Sequence, residues 1–524
     1  MMENFYREII EEIRKGRIKS KKDLHRRKLR LCKLYNLDKI PPDSEILKRI
    51  PDDMKKEEFI EILKKKPTRT LSGVSVVAVM TSPERCPHGR CIPCPGGVDI
   101  NTPQSYTGYE PATMRAISNR FDPYLQTRSR IEQLREIGHP VDKIDFIVMG
   151  GTFPARDPFY KEWFIKRCYD AMNNSDSKNL EEAKKKNETA ESRCIGLTIE
   201  TRPDWCRVNH IEEMLRFGAT RVELGVQTVF DFILEKMERG HTVYDSILAT
   251  KLAKDAGLKV CYHIMPGLPG SDPNLDMETF KTIFEDPRFR PDMLKIYPTL
   301  VIDGTKLYEM WKKKEYIPLD TMEVINLLSR VKSMVPEWIR IQRIERDVPS
   351  HKIEAGVKES NLRQLVREYM QSKGMRCRCI RCREAGRTDA EGDIERARIN
   401  RIVYIASDGE EVFLSFEDRH SDVLFGYLRL RMPGNPYIKE VAETSSMIVR
   451  ELRVVGREIE IGKRSTLAVQ HRGIGRALMM EAEKIAMEDF DCRKILVLSG
   501  VGVKEYYRKL GYSDDGFYMS KRLK

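Results

Sequence analysis

The sequence predicts an α/β fold in which a partial, TIM-like parallel (β/α) barrel is followed by an α+β domain. From about residue 74 to residue 301, short apolar segments alternate with longer amphipathic ones, which is typical of parallel strands joined by helices. From about residue 402 the pattern changes to successive strands around an Asp-Gly turn, one amphipathic helix and a further strand. The predicted barrel strands are 74–80, 143–151, 194–201, 221–228, 259–267 and 293–301.

Length divides the chain further, because 524 residues are too many for one ordinary core. We expect a basic helical segment over 1–70, the barrel over 71–345, a cysteine-bearing linker over 346–390 and the α+β domain over 391–524. Within the barrel, the charged stretch 181–193 predicts a solvated loop or a helix end.

The net charge of +13 and the pI of about 9.0 favour a polyanionic partner over a merely basic soluble protein. Residues 1–70 hold 21 Lys and Arg against 13 Asp and Glu, so this segment supplies +8 of the total and is predicted to bind the polyanion. The chain contains no run of about 18 apolar residues, and its first residues are charged. We therefore expect a cytoplasmic protein without a membrane span.

A first cysteine triplet, Cys86-x4-Cys91-x2-Cys94, follows the first barrel strand. Three thiolates can hold three irons of a [4Fe–4S] cluster and leave the fourth iron open. An open iron can bind the amine and carboxylate of S-adenosyl-L-methionine, whose reductive cleavage gives a 5′-deoxyadenosyl radical. The alternative is a zinc site with a distant fourth ligand such as His88. The position at the C-terminal end of a barrel strand, where active sites lie, favours the cluster.

Further polar residues are predicted around the same barrel mouth. Gly150, Gly151 and Thr152 end the second strand and resemble the glycine pair that contacts the methionine moiety in radical S-adenosylmethionine enzymes; a simple tight turn is the alternative. Four other residues lie on or beside later strands, either facing the mouth to contact the cofactor or buried as paired groups: Glu200, Glu223, Gln227 and Lys295.

A second triplet, Cys377-x-Cys379-x2-Cys382, lies between the two predicted domains. Three thiolates and one further ligand suit a closed tetrahedral Zn²⁺ site that folds a linker, and His351 is the candidate fourth ligand. Free thiols or a redox site are the alternative.

A glycine-rich motif, Gln470-x-x-Gly473-x-Gly475, separates a strand from an amphipathic helix. Glycines at such a turn let backbone N–H groups approach a pyrophosphate at the positive end of the helix dipole. The helix is followed by the strand KILVLSG and by Tyr506-Tyr507. The set resembles the GNAT acetyltransferase fold, which binds acetyl-CoA.

Taken in order, the motifs resemble those of one family, the elongator complex protein 3 or tRNA uridine(34) acetyltransferase family. They include the C-x4-C-x2-C triplet with PGGVDINTPQSYTGYEPATMRA, then GLTIETRPD, YHIMPGLPGSD, MRCRCIRCREAG and YYRKLGY. The resemblance covers nearly the whole chain from about residue 70. It implies a radical S-adenosylmethionine (radical SAM) barrel joined to a GNAT domain.

The resemblance also implies an activity. The enzyme would use acetyl-CoA and the 5′-deoxyadenosyl radical to form 5-carboxymethyluridine at the wobble position of tRNA, so that the anticodon loop is its macromolecular partner. Accessory elongator-type subunits or a homodimer are further possible partners.

The resemblance assigns roles to residues of both domains. Residues Ile474–Arg476, with Gln470 and Gly473, would hold the pyrophosphate; Tyr507 would lie near the thioester sulfur, and Lys143 of the barrel would contact acetyl-CoA. Tyr507 and Lys143 are the predicted catalytic residues, although Tyr507 has a core-packing alternative. The predicted pyrophosphate residues of the helix are Ile474, Gly475 and Arg476, and those lining the pantetheine arm are Glu451, Leu452, Arg453 and Val454.

Two other functions compete with this one. A protein lysine acetyltransferase would need the cluster only as a structural element, which leaves the barrel-mouth residues unexplained. A catalytically silent RNA-binding scaffold would need neither the open iron nor a thioester.

Overall fold

Seven parallel strands form an open, partial barrel. In the computed structural model, which describes residues 2–50, 62–64, 70, 72–388, 390–456 and 473–523, they follow one another in sequential order. Parallel neighbours need long crossover connections, which explains the alternation seen in the sequence. The strands are β1 (Val74–Met80), β2 (Lys143–Met149), β3 (Arg193–Thr201), β4 (Ala219–Gln227), β5 (Lys259–Ile264), β6 (Met293–Ile296) and β7 (Arg340–Ile344).

Before the barrel, the described ranges include the helices α1 (Met2–Arg14), α2 (Lys21–Leu34) and α3 (Asp43–Lys48). They pack around their own apolar cluster, which includes Phe5 and Leu31. On α2, Lys28 pairs with Asp43 at 2.7 Å and is buried. The other face of α2 presents basic side chains to solvent at helical spacing: Lys22, Arg26, Arg30 and Lys33.

The barrel helices begin at well-defined caps. Asp122, Asp157 and Asp272 each cap a helix that starts with proline, and each side chain accepts a backbone N–H of the first turn. The helices are α4 (Pro111–Ser118), α5 (Pro123–Glu136), α6 (Pro158–Asn173), α7 (Leu180–Asn187), α8 (Val208–Arg216), α9 (Asp231–Lys236), α10 (Val243–Asp255), α11 (Pro273–Glu285), α12 (Lys306–Lys312), α13 (Thr321–Met334) and α14 (Leu362–Ser372).

A second seven-stranded sheet follows, in the order β13-β14-β12-β11-β10-β9-β8, and it is antiparallel except for the pair β11–β12. Its strands are β8 (Arg398–Ala406), β9 (Gly409–Asp418), β10 (Val423–Met432), β11 (Ser446–Val454), β12 (Lys494–Val497), β13 (Ser513–Asp515) and β14 (Tyr518–Arg522). The helices after α14 are α15 (Ile380–Arg383), α16 (Lys439–Ala442), α17 (Ile474–Glu488) and α18 (Lys504–Arg508).

The predicted fold class, a partial barrel followed by an α+β unit, is confirmed. Two details differ. The stretch 181–193 is mostly the helix α7, because the Asn179 side chain caps it by accepting the backbone N–H of Glu182. The strand β7 was not predicted, since its sequence RIQRI carries three polar residues in five. In the described part of the chain, no helix is both long and apolar enough to cross a membrane.

Buried ion pairs join the barrel to the second sheet. Arg450 of β11 contacts Asp292, just before β6, at 2.6 Å and Glu411 of β9 at 2.8 Å. Arg431 of β10 contacts Asp255, at the end of α10, at 2.6 Å. Removing one member of such a buried pair leaves an uncompensated charge and costs about 3–5 kcal/mol. These pairs therefore fix how the two sheets face each other and shape the cavity between them.

Candidate active site

A cavity of about 170 Å³ lies at the C-terminal ends of the barrel strands, and we call it the upper cavity. Active sites of barrel enzymes lie at this end, because the loops that follow the strands converge there. The structure brings seven of the predicted site residues together in its lining: Cys86, Gly151, Thr152, Glu200, Glu223, Gln227 and Lys295.

The first cysteine triplet lies in the loop after β1. Cys86 lines the upper cavity, while Cys91 and Cys94 are buried behind it. The three sulfurs do not all lie within 4.8 Å of one another. Thiolates that each hold a different iron must stand further apart than thiolates that share one ion, so this spread fits a cubane cluster. The donor set fits as well, because three thiols are what a [4Fe–4S] cluster with one open iron requires.

Each sulfur of the first triplet has polar neighbours. Hydrogen bonds to the sulfurs are among the factors that tune iron–sulfur clusters. His88 Nε2 lies 3.0 Å from the Cys91 sulfur. The other pairs are Thr152 Oγ1 with Cys86 at 3.8 Å, Arg239 Nη1 with Cys91 at 3.6 Å and the Ser105 backbone N with Cys94 at 3.2 Å.

The glycine pair after β2 lies directly beside the triplet. Gly150 and Gly151 have φ values of +119° and +97°, which side chains rarely adopt. A Cβ on Gly150 would lie 2.3 Å from Thr81 Oγ1, and one on Gly151 would lie 3.6 Å from the Cys86 sulfur. Only glycines therefore allow a ligand to approach this backbone next to the thiols.

A network of buried charges forms the floor of the upper cavity. Lys295 contacts Glu223 and lies 3.4 Å from Glu200, which accepts a hydrogen bond of 2.9 Å from Tyr106 Oη. Glu223 Oε2 also lies 2.8 Å from His263 Nε2. Burial alone would raise the pKa of Glu223, but the charges of Lys295 and His263 outweigh burial and hold it well below its usual range. Glu223 is therefore a fixed anion.

Gln227, at the end of β4, has a φ of +70° and a buried Oε1 that has no hydrogen-bond partner among the described residues. A buried unpaired amide oxygen is costly unless a ligand or water satisfies it. Its position in the upper cavity suits a ligand with a donor group, such as the amine or ribose of S-adenosylmethionine.

A second cavity of about 540 Å³ lies between the barrel and the second sheet, and we call it the interdomain cavity. Six basic and two acidic residues line it, which suits an anionic ligand. Every described residue predicted for acetyl-CoA belongs to its lining, whereas Gln470 lies outside the described residues. These lining residues are Lys143, Glu451, Leu452, Arg453, Val454, Gly473, Ile474, Gly475, Arg476 and Tyr507.

Two backbone features shape the interdomain cavity. Among the described residues, strand β11 pairs with β12 only as far as Val449–Val497. Glu451–Val454 therefore continue past the end of β12, and one edge of the strand faces the cavity there. Helix α17 begins at Ile474, after Gly473 with a φ of +79°, and its first N–H groups point to the same place. A strand edge suits the amides of a pantetheine arm, and a helix N-terminus suits a pyrophosphate.

Lys143 and the glycine pair mark opposite ends of the same strand. Lys143 begins β2, and Gly150 follows its end. Gly150 lies seven positions after Lys143, a distance of about 23 Å along the strand. The interdomain cavity therefore opens at the N-terminal ends of the barrel strands, and the structure does not bring Lys143 to the barrel mouth.

The second triplet has a different geometry. The sulfurs of Cys377, Cys379 and Cys382 all lie within 4.8 Å of one another. Thiolates that share one tetrahedral zinc lie about 4 Å apart, given a Zn–S distance of about 2.3 Å. Hydrogen bonds from the other two thiols hold the pKa of Cys379 well below its usual range. The donor set therefore fits a single Zn²⁺ ion.

The structure does not bring His351 to these thiols. Its ring is exposed on the short turn Ser350–Lys352 and lies edge-on to Tyr109, with 6.4 Å between ring centroids. No described histidine, aspartate or glutamate places a ligand atom within 4.8 Å of all three sulfurs. The fold therefore keeps the His351 ring away from the three sulfurs, beside Tyr109.

Several site residues escaped the sequence analysis. One is Tyr106, in the loop that follows the first triplet. The others are polar residues of buried strands, and each shares a strand face with a predicted residue. The signal that would have found them is a polar side chain at every second position of a strand, since these share one face. They are Asp145, Arg221, Lys259 and His263.

Comparison with known proteins agrees with this geometry. Residues 80–283 match the radical SAM superfamily, residues 291–372 match the radical SAM C-terminal domain, and residues 2–71 match the ELP3 N-terminal domain. The barrel with its thiol-bearing upper cavity is therefore that of a radical SAM protein, which uses S-adenosylmethionine with a [4Fe–4S] cluster.

Relatives define the family more closely. The tRNA uridine(34) acetyltransferase of Methanocaldococcus jannaschii is 55% identical, over 98% of this chain and 96% of its own. Elongator complex protein 3 of Homo sapiens is 44% identical, over 96% of this chain and 93% of its own. The solved structure of Methanocaldococcus infernus Elp3 without its N-terminus superposes with a TM-score of 0.77 and 52% identity, covering 86% of this chain and 99% of the other. The chain belongs to the elongator complex protein 3 family, which confirms the predicted resemblance.

Proposed function

We propose that this protein is a radical SAM enzyme that uses acetyl-CoA to form 5-carboxymethyluridine at the wobble uridine of tRNA. The observation that carries the proposal is that one barrel bears two cavities. The cavity at one end is lined by Cys86 of the first triplet, and the basic cavity at the other end contains every described residue predicted for acetyl-CoA. The relative named tRNA uridine(34) acetyltransferase supports the choice of substrate. A protein lysine acetyltransferase would leave the upper cavity without a role.

In the upper cavity, Cys86, Cys91 and Cys94 would hold the cluster, and Gly150–Thr152 would accommodate the methionine end of S-adenosylmethionine. The bound cluster and S-adenosylmethionine together would supply a 5′-deoxyadenosyl radical. The remaining polar side chains, among them Glu200, Gln227 and Lys295, orient the cofactor, because each is fixed by burial and by its ion pairs or backbone. Their burial also keeps water away from the reacting atoms.

In the interdomain cavity, the N-terminus of α17 with Gly473 and Gly475 would bind the pyrophosphate, and the free edge at Glu451–Val454 would bind the pantetheine amides. Burial raises the pKa of Tyr507, so its hydroxyl keeps its proton. Tyr507 would therefore donate a hydrogen bond to the thioester rather than act as a base. Lys143, half-exposed at the cavity wall, would contact the ligand as a cation.

The exposed basic face of α2 would bind the tRNA backbone, because its cations project to solvent while Lys28 is paired inside. In the linker 346–390, Cys377, Cys379 and Cys382 would hold a structural Zn²⁺ ion. The anticodon loop is the target because a single-stranded base leaves its stack most cheaply. We place the protein in the cytoplasm, where tRNA is available.

The proposal is tested by incubating reduced, cluster-loaded protein with S-adenosylmethionine, tRNA and acetyl-CoA labelled in the acetyl group. We expect labelled 5-carboxymethyluridine in digests of tRNA with U34, and none from the same tRNA with C34. Label on lysine side chains that is independent of S-adenosylmethionine, with unmodified tRNA, would instead support the lysine acetyltransferase.

A further inference from the structure

The two cavities lie on one continuous face inside the barrel. On β3, Gly196 lines the interdomain cavity and Glu200 lines the upper cavity. Because alternate residues of a strand share a face, Thr198 lies between them on the same side. On β5, Lys259 and His263 take the same two places, and Cys261 lies between them, with its sulfur within 4.8 Å of ligand atoms of His263 and Glu223. Both strands thus lead from one cavity to the other.

The separation is thinnest at β4. Arg221 lines the interdomain cavity and Glu223 lines the upper cavity, and both side chains are buried. The Arg221 Nε and Glu223 Oε1 atoms lie 3.4 Å apart. Two residues of strand, or about 7 Å, separate the two levels. A single layer of charged side chains therefore divides the cavities.

This layer carries unused hydrogen-bonding capacity. Thr198 Oγ1, Arg221 Nε and Glu223 Oε1 are buried and make no hydrogen bond within the described part of the chain. Thr198 faces Arg221 across the β3–β4 register. Buried unsatisfied polar groups are costly, and an apolar partition would be more stable. Donors at this place suit a ligand that brings an acceptor, such as a thioester carbonyl oxygen.

The ion pair can open without leaving a bare charge. Arg221 also lies 3.4 Å from Asp145, on the interdomain side, so it keeps an anion if it moves away from Glu223. Glu223 keeps Lys295 and His263. Opening therefore avoids the penalty of an uncompensated buried charge, which is about 3–5 kcal/mol.

We propose that the acyl end of bound acetyl-CoA passes through the barrel interior, between Thr198 and the Arg221–Glu223 pair, from the interdomain cavity into the upper cavity. This inference rests on the proposed function, because it assumes that the interdomain cavity holds acetyl-CoA. The interior route explains how a ligand bound near Lys143 meets chemistry near Gly150, about 23 Å away along β2, without exposing the thioester to solvent.

The test uses a CoA thioester whose short acyl chain carries a photoreactive diazirine. The full-length protein is irradiated with this analogue, without tRNA or reductant, and cross-links are mapped by peptide mass spectrometry. We expect cross-links at Val449–Val454 and also beyond the partition, at Cys261 and His263. Excess CoA should remove both sets.

A blocking variant sharpens the test. Thr198→Phe fills the space opposite Arg221 and should lower the cross-links at Cys261 and His263 at least tenfold, while those at Val449–Val454 remain. Thr198→Ser is the matched control and should behave as the unaltered protein. The map of the unaltered protein decides the matter even if Thr198→Phe does not fold.

The outcomes separate the two proposals. Cross-links confined to the interdomain cavity would overturn the interior passage and leave the proposed function standing. An absence of CoA-dependent cross-links in the interdomain cavity would overturn the assignment of acetyl-CoA, and the passage with it.

Discussion

The two cysteine triplets of this chain have similar sequences and different geometries. Each holds three cysteines within nine residues or fewer, yet only the sulfurs of Cys377, Cys379 and Cys382 lie within 4.8 Å of one another. Close sulfurs can share one ion, whereas spread sulfurs can each hold a separate iron. Spacing in sequence therefore indicates that a metal is bound, and geometry indicates how many ions.

The surroundings of the two triplets also differ. The first triplet borders a cavity and has Gly151 next to the Cys86 sulfur, so a ligand can reach it. The second lies in the linker between the sheets, where the backbone N–H of Ile380 donates to Ile339 and that of Ala385 donates to Leu424 of β10. A site beside a cavity suits chemistry, and a site that ties backbone segments together suits a structural ion.

The largest expected effect comes from replacing Cys86, Cys91 and Cys94 with alanine. Anaerobically prepared protein should contain about four irons per chain, and the triple variant should contain none and lose all tRNA modification. Zinc content should not change, because the second triplet is separate. Cys206→Ala, at a buried cysteine outside both triplets, is the control and should keep its iron. Unchanged iron in the triple variant would show that the cluster is held elsewhere.

Replacing Cys377, Cys379 and Cys382 with serine should have the converse effect. We expect loss of zinc and a decrease in Tm, because metal binding there contributes to folding. A loss of about 3 kcal/mol in the free energy of unfolding would lower the Tm of a large domain by about 6–12 °C. Iron content measured at low temperature should stay near four per chain. Wild-type protein that contains no zinc would contradict the assignment.

The comparison shows what sequence can predict. The cysteine motifs, the glycine pair and the loop before α17 were found because their residues are contiguous, and the strands β1–β6 because apolar residues predominate in them. The strand β7 and a fourth ligand for the proposed zinc site were not found. The first is too polar for its pattern to show, and the second depends on a distance in space that sequence separation does not give.

The pairing of charges that lie far apart in the chain could not be predicted from the sequence either. Lys295 and Glu223 lie 72 residues apart, and Arg450 and Asp292 lie 158 apart. Lys295, Glu223 and Arg450 are each a polar position in a mainly apolar strand, and Asp292 directly precedes one. Only the register of β4, β5 and β6, and the packing of one sheet on the other, brings the charges together.

Two histidine variants sharpen the contrast between the triplets at smaller expected effect. His351→Ala should keep the full zinc content, because the His351 ring packs against Tyr109 and not against the thiols. His88→Ala should keep about four irons per chain, although His88 Nε2 lies 3.0 Å from the Cys91 sulfur, since a cluster with three thiolates does not need it. Metal analysis of both variants beside the unaltered protein is the measurement. Loss of zinc in the first would restore His351 as a ligand, and loss of metal in the second would favour a zinc site at the first triplet.

The smallest expected effect concerns a single hydrogen bond at the first triplet. Thr152 Oγ1 lies 3.8 Å from the Cys86 sulfur and can donate to it. A donor to a cluster ligand stabilises the reduced, more negative state, so Thr152→Val should lower the reduction potential. A hydrogen bond is worth about 1 kcal/mol, which for one electron corresponds to about 40 mV, and this value is the upper limit for the shift.

The shift in potential should be measured on the cluster-loaded protein without S-adenosylmethionine, so that altered cofactor binding does not contribute. Thr201→Val is the matched control, because Thr201 lines the same cavity but its hydroxyl donates to the Trp205 carbonyl at 3.5 Å instead of to a sulfur. An equal shift in both variants would mean that cavity polarity, and not the contact with Cys86, sets the potential. A shift in Thr152→Val alone would show that the hydroxyl acts on the cluster through Cys86, as expected for a spread triplet whose sulfurs face different neighbours.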